Sequence, residues 1–141
     1  CDPEAKSIDV AAFDCDAVIL PGNNAQGVFW IKTYNGKFNA YQRTYVIEAD
    51  KSRARTEYVA VLLEHQLQLL QSLSIGSTTK YLTMKILSEI QMLLPSLQWQ
   101  DALVNQVKEI DTARTAIHRR VEDLTAFSSQ VLAHLEDGAN L

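Results

Sequence analysis

From Ser96 to Asp137 the chain runs without a glycine or proline: "SLQWQDALVNQVKEIDTARTAIHRRVEDLTAFSSQVLAHLED". Nothing in this stretch breaks a helix. Leu103, Ile110, Ile117, Leu124 and Val131 recur every seven residues, interleaved with Val107, Arg114, Val121, Ser128 and Leu135. An apolar repeat of this period predicts one long helix with a coiled-coil-like seam. At a rise of about 1.5 Å per residue it would be roughly 55–60 Å long. No other predicted element matches that length, so part of the seam must pack on a different part of the fold or on a second copy.

Two shorter helices are expected before it. "ADKSRARTEYVAVLLEHQLQLLQSLSIG" carries Val59, Leu62, Leu69 and Leu73 on one stripe, widened by Leu63, Leu67 and Leu70. "STTKYLTMKILSEIQMLLP" offers Ser77 or Thr78 as a cap and Leu82, Ile86, Ile90, Leu93 and Leu97 as an apolar face. At the other end of the chain, Asp2 suits an N-cap, Pro3 the first helical position and Glu4 the positive dipole end. With Ile8, Ala11, Ala12, Cys15, Val18 and Ile19 at three- and four-residue spacing, these predict a short N-terminal helix ended by "LPGNN". A strand over "AVILP" is the competing reading, because short apolar runs are ambiguous.

Between these helices lies "GVFWIKTYNGKFNAYQRTYVIEA", two aromatic and β-branched runs joined by Asn35-Gly36. This is the pattern of a β-hairpin with a type I′ turn. In that register Trp30 faces Tyr41, and Phe29, Ile31, Thr33, Phe38, Ala40 and Gln42 turn toward the helices. The expected fold is therefore mainly α with a β-hairpin: a short N-terminal helix, a hairpin at about 28–47, then a three-helix up-down bundle with an overlong C-terminal helix. It is read as a single domain over 1–141, with helix and turn at 1–25, hairpin at 26–48 and bundle at 50–138.

The outer hairpin face combines Trp30, Tyr34 and Tyr41 with Lys32, Lys37 and Arg43, flat rings beside cations. Such a surface binds a protein, an anionic lipid or glycan, or a single nucleic-acid strand; its plainer reading is a solvated face with lysine stems lying over rings. Charge is segregated along the chain: residues 1–25 hold five acids and one base, residues 26–47 three bases and no acid. The net charge of −4 argues against nucleic acid over the whole surface, leaving a local patch for any anion. Nucleic acid is therefore not the expected partner; a protein is, with homo-oligomerisation through the C-terminal helix as a further possibility. Gln66, Arg114 and Ser128 sit at seam positions, where they either fix register or lie at its edge.

No catalytic, metal or nucleotide motif stands out. His118 and Glu122, four apart, lack a third ligand, and Asp14 and Asp16 would diverge on a helix. Neither an enzyme nor a cofactor is implied. The chain begins with Cys, as the mature form of a bacterial lipoprotein does, and the absence of an N-x-S/T sequon fits a bacterial source. The sequence thus reads as an exported, membrane-anchored bacterial lipoprotein, periplasmic or at the cell surface. Lipid on Cys1 would be its only contact with membrane. Its role would be non-catalytic binding in assembly, inhibition or adaptation. The alternatives are a secreted helical ligand of cytokine or effector type, a cytoplasmic coiled-coil adaptor and a small enzyme with an unmarked site. If a helix runs from Asp2 through Cys15, the two cysteines lie about 20 Å apart, too far for a disulfide, and Cys15 packs as a small apolar residue.

Overall fold

The computed structural model describes residues 10–138, within which the element order is β1 (Phe13–Pro21), β2 (Asn23–Asn24), β3 (Lys32–Phe38), β4 (Thr44–Glu48), α1 (Thr56–His65), α2 (Leu67–Leu73), β5 (Lys80–Tyr81), α3 (Met84–Ser88) and α4 (Leu97–Gly138). The chain divides into two compact units, the first ending at Val104 and the second starting at Asn105. The architecture of the first unit is a sheet backed by short helices, not a helical bundle.

The segment expected as the N-terminal helix is, from Phe13 onward, the central strand. β1 pairs antiparallel with both β3 and β4, giving a three-stranded sheet in the order β3-β1-β4. As the central strand, β1 is flanked on both edges, and Ala17, Val18, Leu20 and Pro21 are all buried. That run of apolar residues mimics helical spacing; the competing strand reading over Ala17–Pro21 is the one the fold adopts. Asp2, Pro3 and Glu4 lie outside the described residues.

The hairpin is corrected as well. Asn35 and Gly36 are inside β3, opposite Asp16 and Cys15 of β1, and make no turn. Gly36 has φ 114°, a conformation closed to most residues, so Asn-Gly here relaxes a strand instead of reversing it. β3 and β4 both run antiparallel to β1 and are therefore parallel to each other, with β1 between them. Such crossovers ordinarily take a dozen or more residues. Here Phe38, beside Phe13, reaches Thr44, beside Pro21, through Asn39–Arg43 alone. Fully stretched, that link covers about 21 Å, whereas a straight β1 would separate its ends by about 26 Å. β1 must coil to close the gap.

Close backbone approach at Gly22 secures the far end of the crossover. Its N–H donates to the Arg43 carbonyl at 2.6 Å, and a Cβ there would stand 2.5 Å from that oxygen. Gly22→Ala is expected to cost about 1–3 kcal/mol, read as a lowered denaturation midpoint; an unchanged midpoint would show that the crossover gives way freely.

One face of the sheet carries Val18, Leu20, Tyr45 and Ile47 into the core. Val18 joins Ala54, Val59, Ala60 and Leu63; Leu20 joins Phe29, Leu70 and Leu82. The expected first long helix is split into α1 and α2 at Gln66, which has φ −92° and ψ 0° and whose N–H is shared by the carbonyls of Leu62 and Leu63. The expected second helix is also corrected: Lys80 and Tyr81 form β5 against β2, and only α3, capped by the Thr83 hydroxyl, is helical.

The long helix stands as α4. Its start is bound into the first unit by Gln100, fully buried, whose amide donates to the carbonyls of Arg53 and Pro95 and accepts from Arg55 N–H, each at 2.9 Å. Arg55 also forks onto Asp101 at 2.8 and 3.1 Å, which holds the Asp101 carboxyl below its ordinary range. In the second unit the seam residues Ile110, Ile117 and Leu124 are about two-thirds exposed. The up-down bundle that was expected to cover them does not form among the described residues.

Candidate functional site

The six residues of the presumed outer hairpin face do not share a surface. Trp30, Lys32 and Tyr34 follow one another along the edge strand β3 and its approach, with the Lys32 ammonium 5.1 Å from the Trp30 ring centre. Tyr34 meets Phe38 edge-on and Phe38 stacks on Phe13, so the rings form a ladder across β3 and β1. Lys37 is on the opposite face, directly across from Asp14. Tyr41, 78% exposed, and Arg43 lie in the crossover.

Lys32 and the crossover nevertheless flank the same end of β1. Lys32 pairs with Ile19 on one side and Thr44 with Pro21 on the other, about 12 Å apart across the strand. The crossover continues to a part of the chain that its periodicity does not single out. The Arg43 guanidinium lies over the Tyr81 ring at 5.3 Å, and β2 pairs with β5 so that Asn23 faces Tyr81 and Asn24 faces Lys80. Leu82 locks this corner: its N–H donates to Gly22 and its carbonyl accepts the Tyr45 hydroxyl, both at 2.8 Å.

The electrostatics of this corner differ from those of the whole chain. Residues 17–47 and 65–88 contain no Asp or Glu, but they contain Lys32, Lys37, Arg43, Lys80 and Lys85. The β2–β5 pairing and the Arg43–Tyr81 contact bring the two acid-free stretches together. Three acids of the first unit are engaged elsewhere: Asp16 takes Lys51 and the Thr56 hydroxyl, Asp50 takes Ser52, and Asp101 takes Arg55. Arg43 over the Tyr81 ring and Lys80 across from Asn24 therefore make a local positive surface on a chain of net charge −4, and Lys32 beside Trp30 adds a separate cation–ring pair at the edge strand β3. Lys80 and Tyr81 escape the sequence reading because "TTKYLT" falls in a segment expected to be helical. The lack of acid from His65 to Ser88 is the signal that could have found them.

Other candidates fall away. His118 and Glu122 form an exposed i,i+4 pair at 3.3 Å, and no group of three or more metal-ligating side chains occurs among the described residues. Cys15 is a free thiol on β1; partial burial and the neighbouring Glu48 carboxylate raise its pKa, which makes it a poor nucleophile. Cys1 lies outside the described residues. No described helix is long and apolar enough to cross a membrane.

Residues 12–125 match the family described as type I restriction modification DNA specificity domain. The chain is 32% identical over 142 aligned positions to the type I restriction enzyme EcoDI specificity subunit of Escherichia coli, covering 98% of this chain and 31% of that protein. The crystal structure of the type I restriction-modification system S subunit from M. genitalium superposes with a TM-score of 0.62 at 15% identity, over 74% of this chain and 28% of that one. The chain thus spans about a third of the length of these relatives. The family match overturns the reading as a lipid-anchored, periplasmic or cell-surface adaptor, the cytokine-like alternative, and the expectation that nucleic acid is not a partner. A negative net charge excluded only a uniformly basic surface, and the acid-free corner is a local one. The chain belongs to the type I restriction modification DNA specificity domain family.

Proposed function

We propose that this chain reads DNA sequence as a recognition domain of a type I restriction-modification specificity subunit, working in the cytoplasm and catalysing nothing itself. Cleavage and methylation would belong to the other subunits of such an enzyme. The observation that carries the reading is the acid-free corner beyond the end of β1, where Arg43 and Lys80 stand with Tyr81, Asn23 and the turn residues Tyr41 and Gln42, with the Lys32–Trp30 pair at the edge strand β3 that flanks the same end of β1. Cations neutralise phosphates and fix the protein on the duplex, while rings and amides supply contacts to base edges.

Titration of the chain against a mixed-sequence duplex, at several salt concentrations, tests the reading. Each neutralised phosphate releases counterions and contributes about −0.9 to the slope of log affinity against log salt. Three cations give an expected slope of about −2.7. No binding at low salt, or a slope near zero, would sink it.

A further inference from the structure

We propose that Gln42, at the tip of the turn Tyr41–Thr44, reads a base of the bound duplex, and that the base is adenine. The inference rests on the DNA-binding reading above and adds the residue that gives it sequence preference.

The turn is closed by Thr44 N–H donating to the Tyr41 carbonyl at 3.1 Å, with Gln42 and Arg43 as its central residues. Arg43 has φ 63°, the geometry of a type II turn, where that position ordinarily belongs to glycine or asparagine. The fold therefore keeps a cation beside the tip at a local conformational cost, a pattern that gathers at functional positions. Both ends of the crossover are pinned. Asn39 donates from its amide to the Val10 carbonyl at 2.6 Å and accepts from Ala12 N–H at 2.7 Å. At the other end the Arg43 carbonyl holds Gly22 N–H at 2.6 Å and its guanidinium covers Tyr81. A turn held in this way has little freedom to lose on binding.

Among the side chains at the tip, Gln42 has the chemistry for a base edge. Its exposed amide offers a donor and an acceptor in one plane, matching N7 and N6 of adenine in the major groove. That groove, about 12 Å wide, admits a β-ribbon, and a two-residue tip is narrower. Tyr41 offers one hydroxyl, and the Arg43 guanidinium, braced over Tyr81, is the cation beside the tip that serves phosphate. The Asn24 amide is half-buried and accepts from Gln26 N–H at 2.8 Å.

The test is enrichment of duplexes with a randomised central segment by the chain, its Gln42→Ala and Gln42→Glu variants, and Gln98→Ala as a control from an exposed position of α4. The wild type is expected to enrich a motif with a fixed A·T pair. Gln42→Ala should weaken preference at that one pair about tenfold. Gln42→Glu should move it toward cytosine, whose N4 amine donates to a carboxylate. Gln98→Ala should give the wild-type motif. A motif unchanged in both Gln42 variants overturns the assignment of Gln42 and leaves the DNA-binding reading standing. A wild type that binds but enriches nothing overturns sequence reading by this chain, and one that does not bind overturns the function itself.

Discussion

Gln100→Leu is expected to lower stability by about 3–4 kcal/mol, a drop of 10 °C or more in the melting temperature of a unit of roughly one hundred residues. Leucine fills nearly the same volume, so the loss is one of hydrogen bonding. It strands the Arg55 N–H and the carbonyls of Arg53 and Pro95, all now met by one buried amide. Each buried group left unpaired costs about 1–3 kcal/mol, and relaxation toward water recovers part of the total. Gln100→Glu should be worse at neutral pH, because a carboxylate in this place faces two carbonyl oxygens. Burial raises the pKa of such a carboxyl, the folded state then binds the proton more tightly, and that variant should regain stability as pH falls. Chemical denaturation at two pH values would check both. A change under about 1 kcal/mol for Gln100→Leu would mean that the first turn of α4 is held by Arg55–Asp101 instead, although that pair is exposed and such pairs are worth little.

Gln100 also shows what the sequence could not convey. The long helix was legible because its evidence is local: a glycine- and proline-free run with a repeating apolar stripe. A glutamine in its first turn looks like any solvated residue until residues 53 and 55 are brought against it. The same limit explains the sheet. "FDCDAVILP" is ambiguous by itself, and only a central position between β3 and β4 makes it a strand. Asn35-Gly36 signals a reversal in most contexts, yet here the partner of β3 is β1, far earlier in the chain. A hairpin would put Gln42 on the core face, whereas the crossover sets it at an exposed turn. The candidate site was half legible. Residues 26–47 are visibly basic and free of acid, and Trp30, Lys32, Tyr41 and Arg43 stand out within them; their continuation through Lys80 and Tyr81 depends on a pairing between two-residue strands that no periodicity announces.

The charge-reversed variant Lys32→Glu, Arg43→Glu, Lys80→Glu should lose DNA affinity by about a hundredfold or more, since charge-assisted contacts to phosphate are worth about 1.5–3 kcal/mol each. Its salt slope should also become shallower by about 3. The three cations come from β3, the crossover and β5, so a joint loss that departs from the sum of the single effects would show that these elements are coupled in binding. Folding should change little for Lys32 and Lys80, whose heads lie outside the hydrophobic clusters. Arg43 is the exception, because its guanidinium covers Tyr81 and its backbone bonds Gly22. Arg43→Lys separates the two roles: the charge stays, and the flat stacking on Tyr81 goes. If the corner acts by charge alone, Arg43→Lys should keep the wild-type salt slope and most of the affinity. If Arg43 acts by bracing the turn, the lysine variant should lose sequence preference while keeping the slope. A matching triple reversal at Arg114, Arg119 and Arg120 on α4 supplies the comparison, since it changes the net charge equally. Equal losses from the two triple variants would mean that DNA senses overall charge and that the end of β1 is no site at all.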